Sequence, residues 1–345
     1  MKRFGLFCPL MALSLCLPVC TGCSGEEKEY LETAYPSDIL RILSVDTEDT
    51  ADNSLPTRSI TTTVQTEGNQ LGIYAVRSDL SQYDPMNGVN PATYAYTSGS
   101  WGITDASRQL RLPKSGSLSV YAWYAAEEHL IPVYQSGGNS YLTGINILSK
   151  DDFAATGQTD YLYPVTPATV SANLRNATFT LKHALAKLTF KVYKASSLTD
   201  EMFLTGIQIR DYSTTLQTGT DKTMLLKNGT LQGLNGVSAI TLTATDDQKT
   251  KILQKTEETG GKTTASPFCL LAPAGGVEYL SFYLTTLTGG QEQTFLTQQT
   301  NFAANRWTAG KHLVITIILD GMAATITGIK VYQWGDYADT HLPIS

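Results

Sequence analysis

Cysteine is almost missing from the body of this chain. Of five in 345 residues, Cys8, Cys16, Cys20 and Cys23 crowd into the first 23 positions, and Cys269 alone follows. No disulfide framework can form within one mature chain, and no cysteine cluster has zinc spacing. Cys269, inside the apolar run PFCLLAP, reads as a small core residue. Histidine is equally sparse: His129, His183, His312 and His341 lie far apart and make no i, i+4 pair. Charged residues are 16% of the chain and the net charge is -6, which excludes a nucleic-acid surface and a polybasic membrane patch. Catalytic motifs fail too. There is no Gly-x-Ser-x-Gly elbow, and the GGKT at 260–263 has Thr256 where a phosphate loop needs its first glycine. The pairs Asp151-Asp152 and Asp246-Asp247 lack the ligand spacing of a calcium loop. The expectation is a chain that is no enzyme and takes no metal or cofactor.

What the chain has begins at its head. Lys2 and Arg3 precede an uncharged stretch from Phe4 to Val19, then Thr21 and Gly22 precede Cys23, which is the three-part layout of an export signal over 1–22. The apolar stretch is short for a membrane span. Thr-Gly-Cys resembles the end of a bacterial lipobox, which makes Cys23 the acylation site, with a palmitate-type anchor. Cys20 is the weaker alternative, because Val19 stands before it where a small residue is expected. The following Ser24-Gly25-Glu26-Glu27 resembles an acidic surface-export signal, although the same run serves as an ordinary solvated linker. The expected membrane contact is therefore through the N-terminal lipid only.

About 320 residues remain after the leader, enough for two domains of ordinary size. Helical periodicity is scarce and period-two alternation recurs. In AKLTFKVYK, Leu188, Phe190 and Val192 share one face while Lys187, Thr189 and Lys191 share the other, as in a half-buried antiparallel strand. LGIYAV (71–76), SLSVYAWYA (117–125), YLSFYLTTL (279–287) and GIKVYQW (328–334) read the same way, separated by turn signals such as SGGN (136–139) and KNGT (227–230). Short strands at this spacing without helices predict antiparallel β-sandwiches. The Pro-, Thr- and Ala-rich stretch from Tyr163 to Asn176 is the expected connection, with a boundary near Asn173 between domains 59–173 and 174–345.

Two segments stand apart. HLVITIIL (312–319) is apolar on both faces and is expected to be a doubly buried central strand. DILRILSV (38–45) is strand-like, but the polar stretch DTEDTADNS and then LPTR separate it from the body. A strand tethered by a polar loop that ends in one arginine has the build of a removable element, and equally of an ordinary edge strand. Eighteen tyrosines and four tryptophans, in segments such as TYAY (93–96) and YAWYA (121–125), read either as cross-strand packing or as a glycan-stacking face.

Several stretches, in order, carry a family resemblance: TRSITTTVQTEGNQLGIYAV (57–76), Trp101 with LRLPKSGSLSVYAWYA (110–125), TDYLYPV (159–165), FTLKHALAKLTFKV (179–192), and WTAGKHLVITIIL (307–319) with the late Trp334. With these, the chain resembles the fimbrillin superfamily of lipoprotein-derived pilins and adhesin subunits. Ser59 and Asn69 depart from the usual Ala and Asp. The resemblance implies two tandem transthyretin-like β-sandwich domains and a cut by a trypsin-like protease between Arg58 and Ser59. That cut removes 23–58 with its strand, and the C-terminal strand of another fimbrial subunit fills the groove left behind. The expected donor is the terminal segment with Ile326, Ile329, Val331 and Trp334, swinging on DGMAA (320–324), while HLVITIIL stays fixed as the second choice. Two functions compete: a pilin that forms a fimbrium for adhesion to a host or bacterial surface, and an anchored glycan-binding lipoprotein that does not polymerise and uses aromatics such as Trp123.

Overall fold

A computed structural model of the chain describes residues 38–48, 64–84, 90–259, 262–273, 276–305, 307–321 and 323–334. Cys20, Cys23, Arg58 and Ser59 lie outside them. The described chain is all-β, with four single-turn 3-10 helices as its helical elements.

Period-two alternation builds the first sandwich. In the strand Asn176–His183 the residues Ala177, Phe179, Leu181 and His183 point inward while Asn176, Thr178 and Thr180 are exposed. This strand pairs parallel with Arg41–Thr47 and, at its end, antiparallel with Leu162–Pro164. A second sheet runs in the order Ala168–Val170, Leu118–Trp123, Gln70–Arg77, Ala92–Thr97, Ser100–Ile103. Leu71, Ile73, Leu118 and Val120 of that sheet share one core with Ile42, Val45, Phe179 and Leu181.

The sequence suggested a half-buried LGIYAV, but every residue from Leu71 to Val76 is buried. The reason is a third layer. Tyr74, Val76, Tyr121 and Trp123, from the outer face of the same sheet, pack with Leu142, Ile145, Ile147 and Met224. Those four belong to Tyr141–Ile147 and Leu216–Leu225, which pair with each other although residues 148–215 separate them. Gly72 makes the layering possible: a Cβ there would lie 2.1 Å from the indole of Trp123, its cross-strand partner.

A second core lies in a long mixed sheet. Its order is Phe268–Leu271, Ala186–Lys194, Lys311–Asp320, Ala323–Gln333, Gln291–Thr297, Tyr279–Thr288, Met202–Arg210, Ala239–Thr243, Lys150–Asp152. Phe190, Phe282, Phe302 and Trp307 meet there edge to face, and the Trp307 Nε1–H donates to the Ala272 carbonyl at 2.9 Å. Lys311–Asp320 is the expected central strand, with Leu313, Val314, Ile315, Ile317 and Leu319 buried. Its pairing with Ala186–Lys194 is parallel, so AKLTFKVYK is not purely antiparallel, and its second face is covered as well at Thr189 and Tyr193. Along the chain the two cores interleave, since Phe153 of the second precedes Phe179 and Leu181 of the first.

Candidate assembly site at the first and last strands

Arg41–Thr47 lies at the edge of its sheet, yet its inner face is fully committed. Ile39, Leu40, Ile42 and Val45 are each at most 3% exposed. The strand fills a trough between two walls. Asn176–His183 forms one. The other is the segment at Leu110–Leu112: the Leu40 N–H donates to the Leu110 carbonyl at 3.1 Å, and Ile39 bridges Arg111. The Tyr94 hydroxyl closes over the top by donating to the Leu40 carbonyl at 3.0 Å. Ion pairs mark both ends, Asp38 with Arg111 at 2.7 Å and Glu48 with Lys182 at 2.9 Å. A bulge at Leu43 interrupts the ladder, so Ile42 and Val45, three apart, share the inner face while Leu43 is 50% exposed.

The last strand, Ala323–Gln333, pairs antiparallel with Lys311–Asp320 over ten residue pairs. Its other edge meets Gln291–Thr297 through Ala323 and Ala324 alone. It too carries a bulge, at Thr327, which brings Ile326, Ile329 and Val331 onto the face opposite Ile317, Ile315 and Leu313. Three of the four sequence-predicted donor residues are thus brought together. Trp334 is not. It lies on the opposite face, in the third core, with its indole stacked on His183 at 4.0 Å and 11°.

The two strands match position by position. Leu40, Ile42, Val45 and Thr47 face inward in the first, with the bulge at Leu43; Ala324, Ile326, Ile329 and Val331 share one face of the last, with the bulge at Thr327. The offsets from Leu40 and from Ala324 are identical, bulge included. Period-two reading misses this, because Ile326 and Ile329 fall on opposite faces of an unbulged strand. The shared pattern Ile-x-x-(Val/Ile)-x-(Thr/Val) was the available signal. In the free subunit Ile326 and Ile329 are half-buried and Val331 is 44% exposed, so the last strand is only partly used where it lies.

Among the described residues no group of three or more His, Cys, Asp or Glu is placed to hold a metal ion. Cys269 is fully buried, and burial pushes its thiol well above the ordinary range, so it is no nucleophile. His312 lies in the central strand with Nε2 2.8 Å from the Thr189 hydroxyl, and burial, with Lys187 nearby, holds it down to about 2. His183 Nδ1 lies 3.0 Å from the Asp160 carboxylate, both deeply buried. The glycan-stacking expectation for Trp123 is corrected by its position: Trp101, Trp123, Trp307 and Trp334 are all buried, because each fills a core rather than a surface.

The family described as Fimbrillin-like matches residues 57–334, from the residue before Arg58 to Trp334. The chain belongs to the fimbrillin-like family. Among curated proteins, none matches the sequence. Solved structures share its fold. A fimbrial protein from Bacteroides vulgatus has a TM-score of 0.52 at 15% identity, covering 86% of this chain and 99% of that one. A candidate cell adhesion protein from Bacteroides ovatus has a TM-score of 0.55 at 14% identity, with 87% and 99% covered. Another, from Bacteroides uniformis, reaches 0.51 at 18% identity, with 87% and 100% covered. At these identities the likeness is one of fold.

Proposed function

We propose that this fimbrillin-like chain is a non-enzymatic, structural subunit of a fimbrium that serves adhesion to a host or bacterial surface. It is exported as an outer-membrane lipoprotein acylated at Cys23 and cut between Arg58 and Ser59 by a trypsin-like protease. It polymerises when the terminal strand of another subunit, of the same or a related kind, takes the place of Arg41–Thr47. The observation that carries this reading is the match between the two strands. Ala324, Ile326, Ile329 and Val331 repeat the spacing of Leu40, Ile42, Val45 and Thr47, bulge included, as a strand that replaces the first one in its trough must. An edge strand that leaves exposes unpaired backbone and an apolar trough, which strand addition restores.

Val331→Asp tests the reading. Val331 is 44% exposed in the free subunit, so the monomer should keep its stability within about 0.5 kcal/mol. In the trough the same position corresponds to Thr47, which is 3% exposed, so the added carboxylate should abolish ladders of protease-treated protein on unheated gels. Undiminished ladders would rule out the terminal strand as donor. The competing reading, an anchored glycan-binding lipoprotein that does not polymerise, loses Trp123 as a stacking residue, because Trp123 is buried.

A further inference from the structure

The strand Asn176–His183 touches both proposed partners of the exchange, and it does so within its last three residues, Leu181, Lys182 and His183. On the side of the first strand, the Glu48 N–H donates to the Leu181 carbonyl at 2.8 Å and the Glu48 carboxylate pairs with the Lys182 ammonium. On the side of the last strand, the Lys182 side chain runs past Gly310, where a Cβ would sit 3.7 Å from its Cε. Gly310 is itself a junction: its N–H donates to the Leu185 carbonyl at 2.9 Å and its carbonyl accepts from the Trp334 N–H at 3.2 Å. The next residue, His183, carries the stacked Trp334 indole and is oriented from behind by Asp160.

Trp334 anchors the C-terminal end of the last strand, beyond its ladder with Lys311–Asp320. From Thr325 to Gln333 no side chain is buried, and along that stretch the strand is paired on one edge only. Trp334 itself is 4% exposed, and its Nε1–H has no acceptor among the described residues. An indole buried without that hydrogen bond is easier to withdraw than one that makes it.

We infer that the first strand latches the last one: while Arg41–Thr47 is in place, Lys182 and His183 hold Gly310 and Trp334, and when it leaves, the terminal strand is released. The purpose of the latch rests on the strand-exchange reading above. Without the first strand, Asn176–His183 loses its parallel ladder and Lys182 loses Glu48. The stack on His183 then loses its rigid base, and the terminal strand frays from its Trp334 end. A subunit in transit thereby keeps its donor stowed for as long as its own trough is filled.

Coupling of this kind is reciprocal, so it can be read from either end in the full chain. Hydrogen exchange of Trp334→Ala should speed the amides of 41–47 as well as those of 325–333, each by about fivefold or more, while Gln70–Arg77 stays unchanged. Lys182→Ala, a milder change at a half-exposed residue, should speed both segments in the same way. Unchanged exchange of 41–47 in Trp334→Ala, or of 325–333 in Lys182→Ala, would overturn the latch. The two proposals fail separately. Ladders lost in Val331→Asp with uncoupled exchange would sink the latch alone, and coupled exchange with undiminished Val331→Asp ladders would sink strand exchange alone.

Discussion

A full-length chain carrying Val45→Asp is expected to form ladders without any proteolytic cut. Val45 is 1% exposed at the centre of the first core. Burying the four side chains Ile39, Leu40, Ile42 and Val45 contributes roughly 6–12 kcal/mol at about 1.5–3 kcal/mol each. Ordering the nine residues 39–47 costs roughly 9–18 kcal/mol at about 1–2 kcal/mol each. The two nearly cancel, and the backbone ladder with Asn176–His183 tips the balance. An ionised carboxylate at position 45 costs several kcal/mol more, and the chain escapes that cost by expelling the strand. The emptied trough then accepts a terminal strand from another copy. Leu43→Asp is the control, since Leu43 bulges outward on the same strand and should leave the protein monomeric. Val45→Asp that stays monomeric with its trough empty would count against the exchange, and ladders that persist when Val331→Asp is added would count against the assigned donor.

The second large effect concerns acid. His312 is neutral in the fold, its value held at about 2 against an ordinary 6.5, with burial the larger cause and Lys187 the smaller. Between those values the unfolded chain binds a proton that the folded chain does not, so stability rises with pH there. The contribution is fully present above about 6.5 and is lost as the pH falls toward 2, with a limiting slope of about 1.4 kcal/mol per pH unit. Denaturant unfolding between pH 7 and pH 4.5 should show this slope in the natural chain. His312→Gln keeps a polar group near the Thr189 hydroxyl and should flatten it, whatever the variant does to stability at pH 7. Parallel curves for the two proteins would show that His312 is not the group responsible.

Much of this was legible in the sequence because the signals are local. Alternation in FTLKH and in the body strands reports which face is buried, and the doubly apolar HLVITIIL reports a central strand. The apolar DILRILSV at the chain head, set off by a polar tether, reports a strand whose core lies elsewhere in the chain. What escaped is non-local. Nothing within Tyr141–Ile147 reveals a partner at Leu216–Leu225, so the third layer and the burial of both faces of Gln70–Arg77 could not be read. The bulges at Leu43 and Thr327 defeat a period-two count, which hides the match between the two strands until their registers are known. Nearness in sequence groups Trp334 with the donor face, and the pairing register puts it on the opposite one, against His183.

The central claim is that the first strand is removed when the subunit assembles. Mass spectrometry of the mature N-terminus, on fimbrial material isolated from the cell surface, tests it most directly. The account predicts chains that start at Ser59, with residues 23–58 and the lipid on Cys23 gone. Retention of acylated Cys23 in every assembled copy would contradict it.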